Sequence, residues 1–370
     1  MILLNIKLDK IYGFDDFEMN LTYPRKIVGS LVEDEFLEGR ERFRYKRAVV
    51  LMGANATGKT SLGKALLRIF RFMEAGVITP LLEMVTAAGG EKASFCVDFV
   101  NDGYVLHRLS ALMDAGTENV VLSYETAPIG TADSYEQCVR RLEDHTEDMN
   151  GNPNRLKKLV GPLRYRFAYP EIEPTLGLAG VRKKELLKTL RAVIGTLDPT
   201  LTDICISRDL KDSFIIRRKG TEIIIQDGKL LNREVLSSGT AEGIDVAIFL
   251  ASMLSDRDTF YYCDEHFSYI QSDIEKRIFG LMLDRTRPGS QLIFTTHNTD
   301  MLDLNLPKHA YMFLRKGREE NGNFKVTAVS ASELLKRNTD SVRCAVENDM
   351  FNSLPDDSLL DELEMGWTDD

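Results

Sequence analysis

The sequence lacks the features that define several large protein classes. No apolar run approaches the roughly eighteen residues that span a bilayer, and the opening MILLNIKLDK places charges where a secretory leader is apolar. The expectation is a cytoplasmic globular protein that makes no use of a membrane. Only five cysteines occur (Cys96, Cys138, Cys205, Cys263, Cys344), none in a C-x-x-C pair, which argues against a zinc site or a disulfide framework. Sustained heptads and internal repeats are missing, so long coiled-coil arms and solenoids are not expected. Basic charge is also in deficit. Asp plus Glu number 57 against 47 Lys plus Arg, a net charge of −10, which disfavours nonspecific attraction of the whole molecule to nucleic acid.

The charge that is present is uneven. Between Gly151 and Arg191 ten basic residues (Arg155, Lys157, Lys158, Arg164, Arg166, Arg182, Lys183, Lys184, Lys188, Arg191) face three acids, and the last twenty residues carry seven acids and no base. Either block reads as solvated surface or as a docking segment. With 43% hydrophobic residues the chain can bury a sizeable core.

Apolar periodicity gives the coarse organisation. ILLNIKL sets Ile2, Leu4, Ile6 and Leu8 on one strand face, and FEMNL repeats the period. RAVVLM reads as a buried parallel strand, followed by a glycine-containing loop and a helix carrying Leu62, Leu66, Ile69, Phe70 and Met73. Residues 93–125 hold two strand-like runs, ASFCVDFV and NVVLSYE. From about Asp133 to Arg191 charged, helix-compatible segments predict an inserted helical lobe. Strands return in DICIS, SFIIRRK and TEIIIQ. A helix over about 240–254, the strand TFYYC, a helix over about 272–285 and the strand QLIFTT follow. The expected division is 1–128 and 204–350 as the two lobes of one α/β unit, 129–203 as the insertion, and 351–370 as an acidic tail.

GANATGKT matches G-x-x-x-x-G-K-[ST] in full and lies between a buried strand and an amphipathic helix. Gly53, Ala54, Asn55, Ala56, Thr57 and Gly58 supply a loop whose backbone N–H groups can wrap phosphate oxygens. The helix from Lys59, with Thr60 and Ser61 in its first turn, turns its positive end toward the same anion. Lys59 is expected to reach the outer phosphates of ATP, and Thr60 to ligate Mg²⁺. In TFYYCDEH an apolar strand ends in Asp264–Glu265, where α/β sheets bind ligands. Asp264 is the second candidate Mg²⁺ ligand, and Glu265 the group that orients or deprotonates water. His297, after the buried strand LIFTT, is a candidate contact to the terminal phosphate. Tyr45, just before the loop strand, could stack on the adenine or simply pack. LSSGT, residues 236–240, has the form of a helix N-cap.

Taken in order, GANATGKT, LSSGT, CDEH and TTHN resemble the Walker A, signature, Walker B and switch-histidine motifs of ABC-type ATPase heads. The opening ILLNIKLDKIYGFDDFEMNL looks like the first strands of their RecF-, SMC- and OLD-like branch. The resemblance covers roughly residues 1–125 and 205–315. It implies a P-loop NTPase fold with a mixed-sheet core and an antiparallel β-subdomain, and an enzyme hydrolysing ATP with Mg²⁺. It also implies two heads that sandwich two nucleotides, with Ser237, Ser238 and Gly239 of each touching the nucleotide of the other, Ser238 foremost. The chain departs from the pattern in three places: His266 stands where proline is usual, FSYIQ is a loose D-loop, and no clear Q-loop glutamine is present. Compact ATPases of this kind act beside a separate effector in bacterial anti-phage or abortive-infection systems. The resemblance therefore implies a self-associating sensor or scaffold, with a trigger protein or nucleic acid docking on 151–191. The alternative is a DNA-repair ATPase. The stretch after His297 is shorter than a typical catalytic domain of about 100–150 residues, so a fused nuclease is not expected.

Overall fold

The computed structural model describes residues 1–370 except 26–31, 87–89, 150, 170–179, 202, 219–220, 232, 319–323, 338 and 354–370. From position 354 on, the acidic tail lies outside the described residues, as does most of the EIEPTLGLAG break.

A six-stranded central sheet runs in the order Tyr165–Ala168, Phe260–Asp264, Gln291–Thr295, Ala48–Met52, Tyr311–Arg318, Phe324–Ser330. The first five strands are parallel and the last returns antiparallel. Strands FYYCD, QLIFT and AVVLM are buried along their whole length, which is why they read as unbroken apolar runs. Alternate side chains enter different cores. Val49 and Leu51 join the layer containing the helix Lys59–Ala75 and the N-terminal strands. Val50 and Met52 face Lys183–Leu197, Ser238–Ser255 and Ser272–Arg285. Full burial of one Val or Leu is worth about 1.5–3 kcal/mol, so packing on both faces holds this sheet in place.

The second sheet is antiparallel, in the order Phe17–Asn20, Ile2–Asp9, Lys92–Val100, Val105–Asp114, Asn119–Pro128, Glu143–Asp144. Its first strand departs from the expected single apolar face. A register shift between Leu3 and Asn5 opposite Lys92–Val100 turns the strand over. Ile2 and Leu4 consequently enter a third cluster with Phe43 and Tyr45, while Leu3, Ile6 and Leu8 enter the first core. Val105–Asp114 was not anticipated between the two strands read from 93–125. Its alternation is masked by His107 and Arg108, whose partners Tyr124 and Asp98 lie on neighbouring strands. A third sheet joins Asp203–Ile206, Ser213–Arg218, Thr221–Gln226 and Lys229–Leu230.

The described residues of 129–203 are less helical than the charge of this stretch suggests. They contain the helix Lys183–Leu197, packed against Ser238–Ser255, and the short helices Tyr135–Val139 and Leu156–Val160. They also supply the strand Tyr165–Ala168, which pairs in parallel with Phe260–Asp264 and so belongs to the central sheet. The aromatic stack of Phe167 with Tyr262 holds that strand against its neighbour.

One buried side chain joins the two large sheets. Gln291 is fully buried; its Oε1 accepts from the Leu3 N–H at 2.8 Å, and its Nε2 donates to the carbonyls of Leu3 at 3.0 Å and Lys46 at 2.9 Å. Phe17–Asn20 pairs with the first strand only from Asn5 onward, so Gln291 supplies the partners that Leu3 lacks on that side. Gln291→Ala leaves these backbone groups unpaired in a dry site. With three groups losing their partner at about 1–3 kcal/mol each, it is expected to lower unfolding free energy by about 3 kcal/mol or more, as measured by urea denaturation. A loss near zero would mean that the two sheets are not joined there.

Candidate functional site

The parallel strands Phe260–Asp264, Gln291–Thr295 and Ala48–Met52 are sheet neighbours, paired Asp264 with Thr295 and Thr295 with Leu51. Their carboxyl ends therefore release Glu265, Thr296–His297 and the loop from Gly53 side by side. The sequence separates these groups by up to 244 positions, and the register brings them together.

The loop folds on itself before the helix begins. Thr57 is buried and its Oγ1 donates to the Ala54 carbonyl at 2.8 Å, while Asn55 and Ala56 are exposed. Ala56 (φ 61°) and Gly58 (φ 100°) take left-handed backbone, and a Cβ on Gly58 would meet the Phe14 ring at 2.8 Å. Gly53 passes so close to the neighbouring strand that a Cβ there would lie 2.4 Å from the Leu314 carbonyl oxygen. Helix Lys59–Ala75 starts without a side-chain cap, which leaves its first N–H groups for an anion. Thr60 and Ser61 stand half-buried in that first turn. Tyr262 fixes the helix start by donating its hydroxyl to the Lys59 carbonyl at 2.6 Å.

Lys59 is buried. Its Nζ donates to the Gly53 carbonyl at 2.8 Å and to that of Ala54 at 3.3 Å, and lies 3.3 Å from Glu265 Oε1. Burial lowers its pKa, against the pull of Glu265 and Asp264. Asp264 is 1% exposed and accepts from Thr60 Oγ1 at 2.6 Å and Thr295 Oγ1 at 2.7 Å. Burial outweighs those two bonds and raises its pKa above the ordinary carboxylate value. Glu265 sits at φ 45°, a left-handed conformation for a non-glycine residue. Its N–H donates to Thr295 Oγ1 at 3.0 Å, and its Oε1 is 2.8 Å from His297 Nε2. Burial pushes the Glu265 carboxyl up, but the His297 hydrogen bond and the Lys59 charge together pull it below the usual value. An ionised Glu265 thus lies beside a buried cation and an imidazole. Thr60 Oγ1 and the Asp264 carboxylate form a pair of hard oxygen donors, a set that suits Mg²⁺ completed by phosphate and water.

The LSSGT segment is built separately. Ser237 caps Ser238–Ser255, its Oγ accepting from the Thr240 N–H at 3.2 Å. Ser238 is exposed. Gly239 packs under the Tyr269 carbonyl, 2.6 Å from where a Cβ would stand, and the Tyr269 N–H donates to Glu242 Oε2 at 3.2 Å. Among the described residues no hydrogen bond or ion pair joins 237–240 to the phosphate-loop residues. His266 is 1% exposed with an unpartnered Nδ1, and burial lowers its pKa to about 4. Of the two roles open to Tyr45, the structure shows packing: it is fully buried in the cluster with Ile2, Leu4 and Phe43. Thr295 and Tyr262 were not singled out from sequence, although both lie inside the quoted strands.

The basic segment is not a uniform cationic face. Arg164 pairs with Asp102 and Asp258, Arg166 with Asp256, Arg182 with Glu185 and Lys183 with Asp212. Lys157, Lys158, Lys184 and Lys188 are exposed. Among the described residues no helix is long and apolar enough to cross a membrane.

Compared with solved structures, the chain has the fold of SMC head domains. It is similar to an Smc head bound to the C-winged helix domain of ScpA, with a TM-score of 0.52 and 12% identity over 90% of this chain and 100% of that one. It is also similar to the Smc head with an extended coiled coil bound to the C-terminal domain of ScpA, derived from Pyrococcus furiosus, with a TM-score of 0.51 and 12% identity over 90% and 98% of the two chains. No family model and no curated protein matches the sequence.

The contact under Gly239 gives a steric expectation. Gly239→Ala drives a methyl group into the Tyr269 backbone and is expected to destabilise by about 1–3 kcal/mol. Gly280→Ala, in helix Ser272–Arg285 with open space around it, is expected to stabilise by about 0.4–1 kcal/mol. Denaturant titration of both variants distinguishes the two; equal effects would contradict the close approach.

Proposed function

We propose that this chain binds Mg²⁺–ATP and hydrolyses it as an ABC-type head that engages a second copy. The observation that carries the reading is the 2.6 Å hydrogen bond from Thr60 Oγ1 to Asp264 Oδ2, with Glu265 next in the chain. It sets the hydroxyl of a complete phosphate-loop motif against the acid of a separate strand. Thr60 and Asp264 would hold Mg²⁺, which supplies charge neutralisation on the phosphates. Backbone N–H groups of residues 53–61 and Lys59 Nζ bind the phosphate chain. Glu265, kept ionised by Lys59 and His297, accepts a proton from the attacking water, and His297 orients the terminal phosphate. Ser237, Ser238 and Gly239 meet the nucleotide of the second copy; the exposure of Ser238, and the absence of described bonds to its own phosphate loop, support this.

The finer role we propose is that head engagement acts on a separate effector protein, in the anti-phage setting that the motif resemblance implies. Two similar Smc heads carry ScpA domains, which supports a protein partner for this chain. Ion pairing of Arg164, Arg166, Arg182 and Lys183 weighs against a nucleic-acid groove along 151–191 and favours a smaller protein-docking role for its exposed lysines.

Three variants test the site. Lys59→Ala is expected to lose Mg²⁺–ATP binding by calorimetry. Glu265→Gln is expected to retain binding, hydrolyse about 10²–10⁴-fold more slowly and accumulate dimer by light scattering. Ser238→Arg is expected to bind ATP yet remain monomeric and inactive. Wild-type turnover by Glu265→Gln would refute the assigned base, and an active monomeric Ser238→Arg would refute engagement.

A further inference from the structure

Glu275 has no part in the reading above, yet its partners single it out. It is 3% exposed, in the first turns of helix Ser272–Arg285. Thr296 Oγ1 donates to its Oε1 at 2.7 Å, and Asn298 Nδ2 donates to its Oε2 at 2.6 Å. Those two residues flank His297. The turn between them is closed by Asn298 N–H donating to Thr296 Oγ1 at 3.0 Å, and it is hooked to the phosphate-loop strand by Thr296 N–H donating to the Leu51 carbonyl at 3.2 Å.

The chemistry of the pairing is unusual for a buried acid. Among the described residues no Lys, Arg or His pairs with Glu275; its donors are a hydroxyl and a carboxamide. Burial raises its pKa, the bonds from Asn298 and Thr296 oppose that rise, and Asp300 adds to it. An acid buried against neutral donors costs stability that an apolar residue of similar size would not. Its presence is therefore explained by what it holds. Glu265, Glu275, His297 and Asn298 also line one cavity of about 310 Å³, so the acid and the proposed reacting groups share a wall.

We propose that Glu275 is a positioning residue for ATP hydrolysis: its two oxygens clamp Thr296 and Asn298 and thereby hold the His297 imidazole 2.8 Å from Glu265 Oε1. The inference rests on the ATPase reading. Displacing a reacting group by about 1 Å costs about 10²-fold in rate, so the clamp acts on turnover and leaves the phosphate loop untouched.

The test uses the full chain. Glu275→Ala is expected to lower kcat about 10²-fold with Mg²⁺–ATP affinity unchanged. Glu275→Gln, which keeps one acceptor for Asn298 and a donor for Thr296, is expected to recover kcat to within about fivefold of wild type. In a His297→Ala background, Glu275→Ala is expected to change kcat by less than about twofold, since a clamp without its imidazole holds nothing. Nuclear magnetic resonance of ring-labelled histidine, recorded without nucleotide, reads the same clamp independently of turnover: the His297 resonance is expected to move or broaden in Glu275→Ala while the other four histidines stay put. Equal losses in both backgrounds, a Gln variant as slow as the Ala variant, or an unmoved His297 resonance would each overturn the proposal. Failure of the ATPase reading looks different. The wild-type chain would then turn over no ATP, and the His297 resonance alone would decide whether the clamp exists.

Discussion

The arrangement at the carboxyl edge of the central sheet depends on one buried acid. Asp264 accepts from Thr60 Oγ1 on one side and Thr295 Oγ1 on the other, at 2.6 and 2.7 Å. These short bonds tie the first turn of one helix and the end of a neighbouring strand to a third element. Hydrogen bonds to a charged group contribute about 1.5–3 kcal/mol each, yet burial still raises the Asp264 pKa. The carboxylate is held in place at a cost that its neighbours only partly offset.

Glu265 inherits its geometry from that acid. Its left-handed backbone and its N–H bond to Thr295 follow from standing one residue beyond Asp264 at the same strand end. From Glu265 the chain passes through Ser268, whose hydroxyl donates to the Glu265 carbonyl, to Tyr269, which lies over Gly239. The proposed catalytic carboxylate and the turn at Ser237–Gly239 are therefore linked through a short loop.

Local chemistry was legible in the sequence wherever the signal was local. The apolar run Ala48–Met52, the glycine loop and the helix from Lys59 are contiguous, so their order alone implies the arrangement found. Asp264, Glu265 and His297 were recognisable as ends of buried strands. Elements that depend on distant partners were not. Val105–Asp114 hides its alternation behind His107 and Arg108, whose mates sit across the sheet. Tyr165–Ala168 lies in a charged region and is a strand only because Phe260–Asp264 is beside it. Gln291 and Glu275 are polar residues at buried positions, and nothing short of their three-dimensional partners distinguishes them from surface residues. The basic segment misleads for the same reason, since the aspartates that neutralise Arg164, Arg166 and Lys183 come from other stretches.

The bulge between Leu3 and Asn5 has a consequence for how the molecule is assembled. It changes the face that the even-numbered residues take: Ile2 and Leu4 enter one core, whereas Ile6 and Leu8 enter the other, which Leu3 already occupies. A uniformly alternating strand could slide by two residues and still bury an apolar side chain at every site. This one cannot, because a two-residue slip would carry the irregularity away from the point where the cores meet. The opening strand thus behaves as a keyed part, admitted to the sheet in a single setting, and the alignment of the two sheets is encoded in a defect of its regularity.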